Sequence, residues 1–551
     1  MNKLKKIFLV LAASALVLSG CGEEEDITTV KAGGSFPEAV NIELSDEGIQ
    51  VDGAAVSENP QEAVYAARDV VFYLANQGFT YGEGTEADEH TQEEADANTV
   101  VHITKPGTYA VTGKLSAGQI AIDLGEEAEN DPKAVVTLIL NGVDITCKVA
   151  PAVIFYNVYE CNTADAETAS HEVDTQGAGA NVMIADNSVN QVNGSYVARI
   201  YKTYTLNEDG TEVVDYKKLH KYDGAFYSKM SMNVNGEKEG NGVLNIKAEN
   251  EGLDSEMHLT INGGRIHITS GNDGINTNED GISVTTINDG EVKLFVDGST
   301  GEGDGIDSNG WLVINGGTVI AAACSRSGDA GIDSDRGIYI NGGNIVASGN
   351  MMDRIAGGEQ SYVLFAFAEN QAGGSTYTMK NAEHKEVASW TPKNDFVYLL
   401  VADDNLTEGT YTLWNGKTQL AASAGMGSGE PPQGMELPEG MEIPEGGGPL
   451  QGMELPEGME IPEGGEPPQG MELPEGMEIP EGGELPQGME RPQGEDNFVD
   501  RGKGGQGGRG SRQAGMGFGG QEYMNSGDLS EEFVITERVT YFSKVQAKAE
   551  E

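Results

Sequence analysis

The feature that most constrains the fold is a repeat of about 26 residues between residues 251 and 349. Each copy has an acidic residue one or two positions before a glycine and a branched apolar residue, and ends in Asn-Gly-Gly or Asn-Asp-Gly. The asparagines that mark these ends are separated by 26, 27 and 26 residues: Asn262, Asn288, Asn315 and Asn341. Periods of this length are typical of solenoids, in which each repeat buries its apolar residues against its neighbours.

The residues between the two markers alternate between apolar and other side chains, as β-strands do. Examples are 259–261, 312–314 and 338–340. Asn-Gly and Gly-Gly pairs are expected at the corners, because glycine tolerates positive φ. The sequence therefore predicts an all-β chain folded as a right-handed parallel β-helix, which is a solenoid.

The N-terminus has the composition of an export signal. Three lysines within residues 1–6 precede an apolar run, residues 7–17, that is too short to span a bilayer. Leu18-Ser19-Gly20-Cys21 resembles the lipobox of bacterial lipoproteins. The resemblance implies a signal peptide over residues 1–20, lipidation of Cys21, and an extracytoplasmic protein anchored by lipid to the bacterial membrane at the cell surface.

The rest of the chain divides by composition. Proline, glycine and glutamate dominate an 18-residue motif that recurs at Gln433, Gln451, Gln469 and Gln487, and this composition predicts a disordered insertion. Asn59, Pro60, Glu62 and Gly78 are placed as the cap, first turn and stop of a helix. The predicted segments are a tether (21–40), an N-terminal capping region with that helix (41–99), the β-helix (100–420), the low-complexity insertion (425–520) and a closing strand (531–546) that pairs with 409–416.

The charge and the cysteines limit the partners. The formal net charge of -55, from 89 acidic and 34 basic residues, disfavours nucleic acid as a partner and attracts divalent cations. Cys147 and Cys161 are close enough in sequence to form a disulfide, or they are buried as small apolar residues.

Aligning the repeats stacks acidic side chains in two columns. At the strand spacing of about 4.8 Å, two carboxylates repel by roughly 3 to 4 kcal/mol even at an effective dielectric constant of 20. Oxygen ligands of this kind suit Ca²⁺, whereas a solvated Asp/Asn turn ladder is the alternative. The predicted metal ligands are Asp254, Asn276, Asp307 and Asp333 in one column, and Asp273, Asp304 and Asp329 in the second column, which Glu251 begins.

The order of "KPGTYAVTG", "LILNGVDIT" and the stacked "DGIDS…INGG" copies resembles a family of bacterial surface carbohydrate-binding proteins known from clostridia. The resemblance covers roughly residues 100–349 and the closing strand. It implies a calcium-containing parallel β-helix that binds plant cell-wall polysaccharide, such as pectin and cellulose, without lyase activity. The polysaccharide is then the partner, and Ca²⁺ is the cofactor.

Three functions follow from these features. The first is carbohydrate binding, in which a Ca²⁺ layer bridges the acidic protein to a polyuronate. Neutral sugars would instead stack on an outward Trp311, with His258 in the same column and Tyr339 nearby. The alternative for Trp311 is that a loop covers it. A Ca²⁺-dependent polysaccharide lyase is the rival function, with Arg336 as the best candidate for the base. A structural surface spacer or adhesin is the third.

Overall fold

The computed structural model describes residues 27, 29–162, 165–403, 405–424, 529–535 and 539–547. Nearly all regular structure within them is β-strand, which confirms the predicted all-β class. The α-helix of this part of the chain is Gln92–Asp96, capped by Thr91, and a 3-10 helix spans Glu126–Asn130. No helix in these ranges is long and apolar enough to cross a membrane. The predicted signal peptide, Cys21 and the 425–520 insertion lie outside the described residues.

The repeats pair into three ladders, here called A, B and C, in which neighbouring strands are parallel except at the ends. Ladder A contains Val64–Ala67, Thr99–Ile103, Gly118–Ile122, Val153–Phe155, Gly224–Ser228, Glu251–Ser255, Ile275–Thr277 and Ile306–Ser308. Ladder B contains Val40–Leu44, Ala180–Ile184, Met232–Gly236, Leu259–Ile261, Val284–Ile287, Trp311–Ile314, Gly337–Ile340 and Ile355–Gly357. Ladder C contains Val189–Gly194, Val243–Ala248, Arg265–Ser270, Glu291–Val296, Thr318–Ala322 and Asn344–Gly349.

The alternation seen in the sequence sets which side chains enter the core. In the ladder C strand Arg265–Ser270, Ile266 and Ile268 are buried while Arg265 and His267 remain half-buried. Ile266 pairs in register with the equally buried Val292 of the next repeat, so apolar side chains stack along the ladder. Two long strands, Gly107–Leu115 and Val136–Thr146, run through both ladders B and C.

The N-terminal capping region departs from the prediction. The helix expected over 59–78 is wrong, because Val64–Ala67 is a strand that pairs antiparallel with Thr99–Ile103. Val64 is buried against the apolar core, so tertiary packing overrides the helix signals of the sequence. Short strands at Gln50–Val51 and Ala54–Ala55 complete this region. A hairpin, Val197–Leu206 and Val213–Tyr222, stands apart from the ladders as a two-stranded sheet.

The strands after Gly357 belong to a second arrangement with its own apolar core, so the range 100–420 is not parallel throughout. Phe533–Ile535 pairs antiparallel with Gly409–Asn415, which confirms the predicted pairing of the C-terminal segment with 409–416. The strands here are Tyr362–Gln371, Tyr377–Asn381, Glu386–Trp390, Phe396–Ala402, Gly409–Asn415, Thr418–Ala424, Phe533–Ile535 and Val539–Ala547.

The three described cysteines are unbonded, so Cys147 and Cys161 do not form a disulfide in this structure. Cys147 is buried in the apolar core, Cys324 is buried, and Cys161 is half-buried. Burial raises the pKa of the Cys147 and Cys161 thiols to about 11, which keeps both thiols protonated near neutral pH. Burial as a small apolar residue is confirmed for Cys147, whereas Cys161 is half-buried and its Sγ donates to the carbonyl of Asp174 at 3.8 Å.

Deleting residues 425–520 should leave the fold intact. The backbones of Ala422 and Ser530 exchange two hydrogen bonds of 2.9 and 2.8 Å, so the chain leaves and re-enters the described structure at one place. A short Gly/Ser linker in place of the insertion should preserve the β-rich circular dichroism and change the melting temperature little, since loop-closure entropy varies only logarithmically with length. A loss of cooperative melting would show that the insertion contributes to the fold.

Candidate functional site

The predicted acidic column runs across successive strands of ladder A. Asp254 pairs in register with Asn276, and Asn276 pairs with Asp307. A parallel bridge between Ile306 and Ile332 carries the register one repeat further, to Asp333. Four repeats therefore place one carboxylate or amide each in a single line, which we call the first acidic column.

A second acidic column runs three residues earlier in each repeat. The carboxylate Oδ1 of Asp273 accepts a hydrogen bond of 2.6 Å from the backbone N–H of Asp304. Asp304 repeats this contact by accepting from the backbone N–H of Ala330, also at 2.6 Å. Each carboxylate is thus fixed by the repeat that follows it.

The assignment of Asp329 to the second column is wrong by one residue. Ala330 occupies the column position, because the backbone N–H groups of Gly274 and Gly305 donate to the carbonyls of Asp304 and Ala330 in equivalent bonds of 3.0 Å. Asp329 instead accepts from the backbone N–H of Gly303 at 2.8 Å. It supports the neighbouring loop rather than the column.

The glycine between the two columns is required by space. A Cβ on Gly252 would lie 2.4 Å from the carbonyl oxygen of Gly274, and a Cβ on Gly274 would lie 2.5 Å from that of Gly305. Gly305 repeats the contact with the carbonyl of Gly331 at 2.3 Å. Backbone of the next repeat fills the place of the side chain, so none larger than hydrogen fits here.

Three carboxylates converge where the columns meet. Oxygen atoms of Asp304, Asp307 and Asp333 all lie within 4.8 Å of one another. Asp304 and Asp333 are 7% and 8% exposed, while Asp307 is half-buried. Asp353 adjoins them by accepting from the backbone N–H of Ser334 at 3.2 Å. This donor set consists of oxygen alone, which suits a hard divalent cation such as Ca²⁺.

The electrostatics of this group favour a bound proton or cation. Burial, and then the carboxylates of Asp307 and Glu251, raise the pKa of Asp273 well above the usual range. Burial, and then the carboxylates of Asp333 and Asp273, do the same to the pKa of Asp304. Burial, with Asp333 adding to it, raises the pKa of Asp353 to about 7. After burial, the neighbours that raise these pKa values most are carboxylates, which a bound proton or cation would neutralise.

The other end of the first column has a basic partner. Lys221, at the end of the hairpin, forms a 2.9 Å ion pair with Asp223. Burial and then Asp223 raise the pKa of Glu251 to about 8, and Lys221 opposes that rise. Three buried oxygens here have no hydrogen-bond partner among the described residues: Glu251 Oε2, Asp254 Oδ2 and Asn276 Oδ1.

Sequence reasoning missed Lys221, Asp223 and Asp353. Lys221 lies at the end of a hairpin that interrupts the ladders and Asp223 directly follows that hairpin, so neither shares a spacing with the repeats. Asp353 follows the last complete repeat. The sequence indicated the columns through the repeated acidic motif alone, and none of these three residues belongs to that motif.

The aromatic residues predicted to bind sugar are covered. His258, Val284 and Trp311 do share a column on ladder B, but Trp311 is 8% exposed and His258 is 1% exposed. Ala169 and Val173 pack on this column, and the ring of His171 stacks on that of Tyr339 at 4.0 Å. The expectation of an open Trp311 platform is therefore wrong, because the segment 165–174 forms a lid over it.

Arg336 is exposed and contacts both the Trp311 ring and the lid. Its guanidinium lies 5.1 Å from the centroid of the Trp311 ring, and it donates a 3.4 Å hydrogen bond to the carbonyl of Ala166. Both contacts tie the lid to ladder B. They give Arg336 a structural role there.

Trp311→Ala should destabilise the protein rather than act on sugar binding. Removing the ring empties the space under the lid, and truncations of buried aromatic residues cost about 3 kcal/mol or more. The melting temperature should fall by several degrees, with a smaller loss for the control Trp311→Phe, which keeps a ring. An unchanged melt would contradict the packing described.

Of three comparisons with known proteins, one shows the family of the chain. A family model described as carbohydrate-binding domain-containing protein matches residues 97–423. No curated protein matches the chain. A polysaccharide lyase-like protein from C. thermocellum, solved as a gadolinium derivative, is similar over 56% of this chain and 93% of that chain, with 18% identity and a TM-score of 0.29, which is too low to carry an argument. Since the family model spans more than half of the 551 residues, the chain belongs to the family of carbohydrate-binding domain-containing proteins.

Proposed function

We propose that this chain is a non-catalytic carbohydrate-binding protein of the bacterial cell surface that holds Ca²⁺ in its acidic columns and binds acidic polysaccharide of the pectin or polygalacturonate type, with cellulose as a further ligand. The observation that carries the metal is the convergence of Asp304, Asp307 and Asp333. Membership of the carbohydrate-binding family carries the ligand class.

The residues present fit Ca²⁺. Ca²⁺ takes six to eight oxygen ligands from carboxylates, amides and carbonyls. Asp304, Asp307 and Asp333 would supply the carboxylates. Asn276, whose buried Oδ1 has no hydrogen-bond partner among the described residues, pairs directly with Asp307 on the neighbouring strand. The ion would supply positive charge to a group of buried and half-buried carboxylates that otherwise repel one another.

A structural role for the ion fits better than a bridge to the polysaccharide. Asp304 and Asp333 are buried, so a metal among them would have little surface to share with an external carboxylate. Their neutralisation would hold successive repeats in register. Dependence of binding on Ca²⁺ then follows from the integrity of the repeats.

We further infer that ladders A, B and C are the three faces of a right-handed parallel β-helix. Within the repeats the chain passes from A to B to C and back, and it pairs in parallel with the preceding copy each time. Crossovers between parallel strands of one sheet are right-handed in about 98% of cases. Lipidation of Cys21 would place this solenoid outside the membrane.

The lyase alternative is weakened by the position of Arg336. A base for β-elimination must reach the substrate beside the metal. The guanidinium of Arg336 instead stacks on Trp311 and bonds to the lid.

Stability should depend on pH and Ca²⁺ in opposite senses. The raised pKa of Glu251, about 8, and of Asp353, about 7, means that the metal-free folded state binds more protons than the unfolded state between about pH 4 and 8. Its free energy of unfolding should therefore fall as pH rises through this window. At pH 8, Ca²⁺ at a hundredfold excess over its Kd should add about 2.7 kcal/mol per site. Thermal melts in EDTA and in Ca²⁺, across pH, measure both effects.

Asp307→Asn provides the matched variant for the metal. It keeps the size of the side chain and removes one charged ligand, so the Ca²⁺-induced rise in melting temperature should shrink. Asp209→Asn, at an exposed turn of the hairpin, makes the same charge change away from the columns and serves as the control. A melt that does not respond to Ca²⁺ at any pH would remove the calcium proposal.

The purified chain should bind polygalacturonate in Ca²⁺ and lose binding in excess chelator. Methyl-esterified polymer should bind more weakly, because fewer free carboxylates remain. Binding is measured by affinity electrophoresis or calorimetry, and the ultraviolet absorbance of the same mixtures reports any unsaturated product. A product whose formation requires Arg336 would favour the lyase, and absence of binding to any polysaccharide would favour a structural spacer or adhesin.

A further inference from the structure

An open groove runs along the glycine corners between ladders B and C. Its volume is about 570 Å³, and its lining includes Arg265, Glu291, Asn315, Thr318 and Asn344. It crosses several successive repeats and is separate from the acidic columns of ladder A. Neither the metal nor the lidded aromatic cluster accounts for it.

The floor of the groove is bare backbone. Gly290 and Gly317 have φ of +99° and +79°, and a Cβ on either would lie 2.7 Å from a carbonyl oxygen of the preceding repeat. Gly343, with φ of +100°, continues the same corner. Gly290 and Gly317 are half-buried and carry no side chain, so an extended ligand can reach the peptide groups at these two corners.

A ladder of exposed amides runs beside the groove, and its member Asn315 lines the groove. Each asparagine Nδ2 donates to the Oδ1 of the preceding repeat, at distances of 3.0, 2.8, 2.8 and 2.7 Å from Asn262 through Asn288 and Asn315 to Asn341. A side-chain amide has two donor hydrogens and two acceptor lone pairs, and the ladder uses one of each. The remaining capacity forms a periodic hydrogen-bonding surface suited to sugar hydroxyls.

The other wall includes Arg265 and Glu291, and Lys293 and His267 lie beside it in a cluster built around the Glu291 carboxylate. Glu291 accepts from Arg265 Nε at 3.1 Å and pairs with Lys293 Nζ at 3.2 Å, and it lies 2.8 Å from His267 Nε2. The hydrogen bond with His267, followed by Lys293 and Arg265, lowers the pKa of Glu291 to about 2 against the effect of burial. Two permanent cations thus share one carboxylate, and both are about one third exposed.

We propose that this groove is the polysaccharide-binding site and that it takes a polyuronate chain lying along the repeats. Hydroxyls meet the amide ladder and the bare backbone, and uronate carboxylates meet Arg265 and Lys293. Arg265 and Lys293 offset the carboxylates of Glu291 and Asp289 at this wall, so in a chain of net charge -55 it repels a polyanion less than the acidic columns do. Asp289, on the lining, has its carboxylate turned to the backbone N–H of Gly290 at 2.7 Å. The inference rests on the proposed function and names where the ligand binds.

The test places opposite charges at one position in the groove. Thr318→Lys should tighten binding of polygalacturonate and Thr318→Glu should weaken it, each by roughly tenfold, whereas added bulk alone would weaken both. Arg265→Gln should weaken it by a similar factor and leave binding of fully methyl-esterified polymer unchanged. Lys133→Gln, an exposed site on an earlier repeat, makes the same charge change as a control. All titrations are done in excess Ca²⁺, with melting temperatures measured alongside.

The outcomes separate this inference from the proposed function. Opposite effects of the two Thr318 variants, with Lys133→Gln matching the unchanged protein, support the groove. Normal binding by all folded groove variants overturns the groove and leaves the carbohydrate-binding function standing. Absence of polygalacturonate binding by the unchanged protein overturns both.

Discussion

Repulsion between carboxylates stacked at the spacing of parallel strands is the constraint on which the repeats depend. The register of ladder A fixes Asp254, Asn276 and Asp307 in one line, and the chain cannot separate them without breaking its backbone pairing. The two ends of the columns meet this constraint differently. At one end, the ammonium group of Lys221 supplies positive charge. At the other end, Asp304, Asp307 and Asp333 offer carboxylate oxygens that could hold a cation, and their neighbours include further carboxylates.

Each position of the acidic motif has a separate physical task. In the copy that begins at Asp304, the carboxylate accepts a backbone N–H from the next repeat, and Gly305 leaves room for that repeat's carbonyl. Ile306 is fully buried in the core, and Asp307 contributes to the first column. The same motif therefore supplies both the glycine that lets successive repeats pack closely and the carboxylates of the acidic columns. Close packing and acidic side chains recur with the same period for this reason.

Features that repeat could be predicted from the sequence, and features that interrupt the repeat could not. The stacked columns and the glycine corners followed from the period. Asp329 was misplaced because this copy has one extra residue, Ala330, between its first Asp and its glycine, a shift visible in the spacing of the copy. The lid over Trp311 comes from residues 165–174, which carry no repeat, and the strand Val64–Ala67 forms because pairing with ladder A outweighs local helix signals.

The acidic columns and the groove are linked through the same repeats. Thr318 follows Asp307 by eleven residues, and Asn344 follows Asp333 by the same number. Each of these two repeats therefore carries one carboxylate of the first acidic column and one residue that lines the groove. A cation that holds Asp307 and Asp333 together would also hold Thr318 and Asn344 in register, since those two residues pair directly in ladder C. Metal and polysaccharide are then coupled by the alignment of successive repeats, without any contact between them.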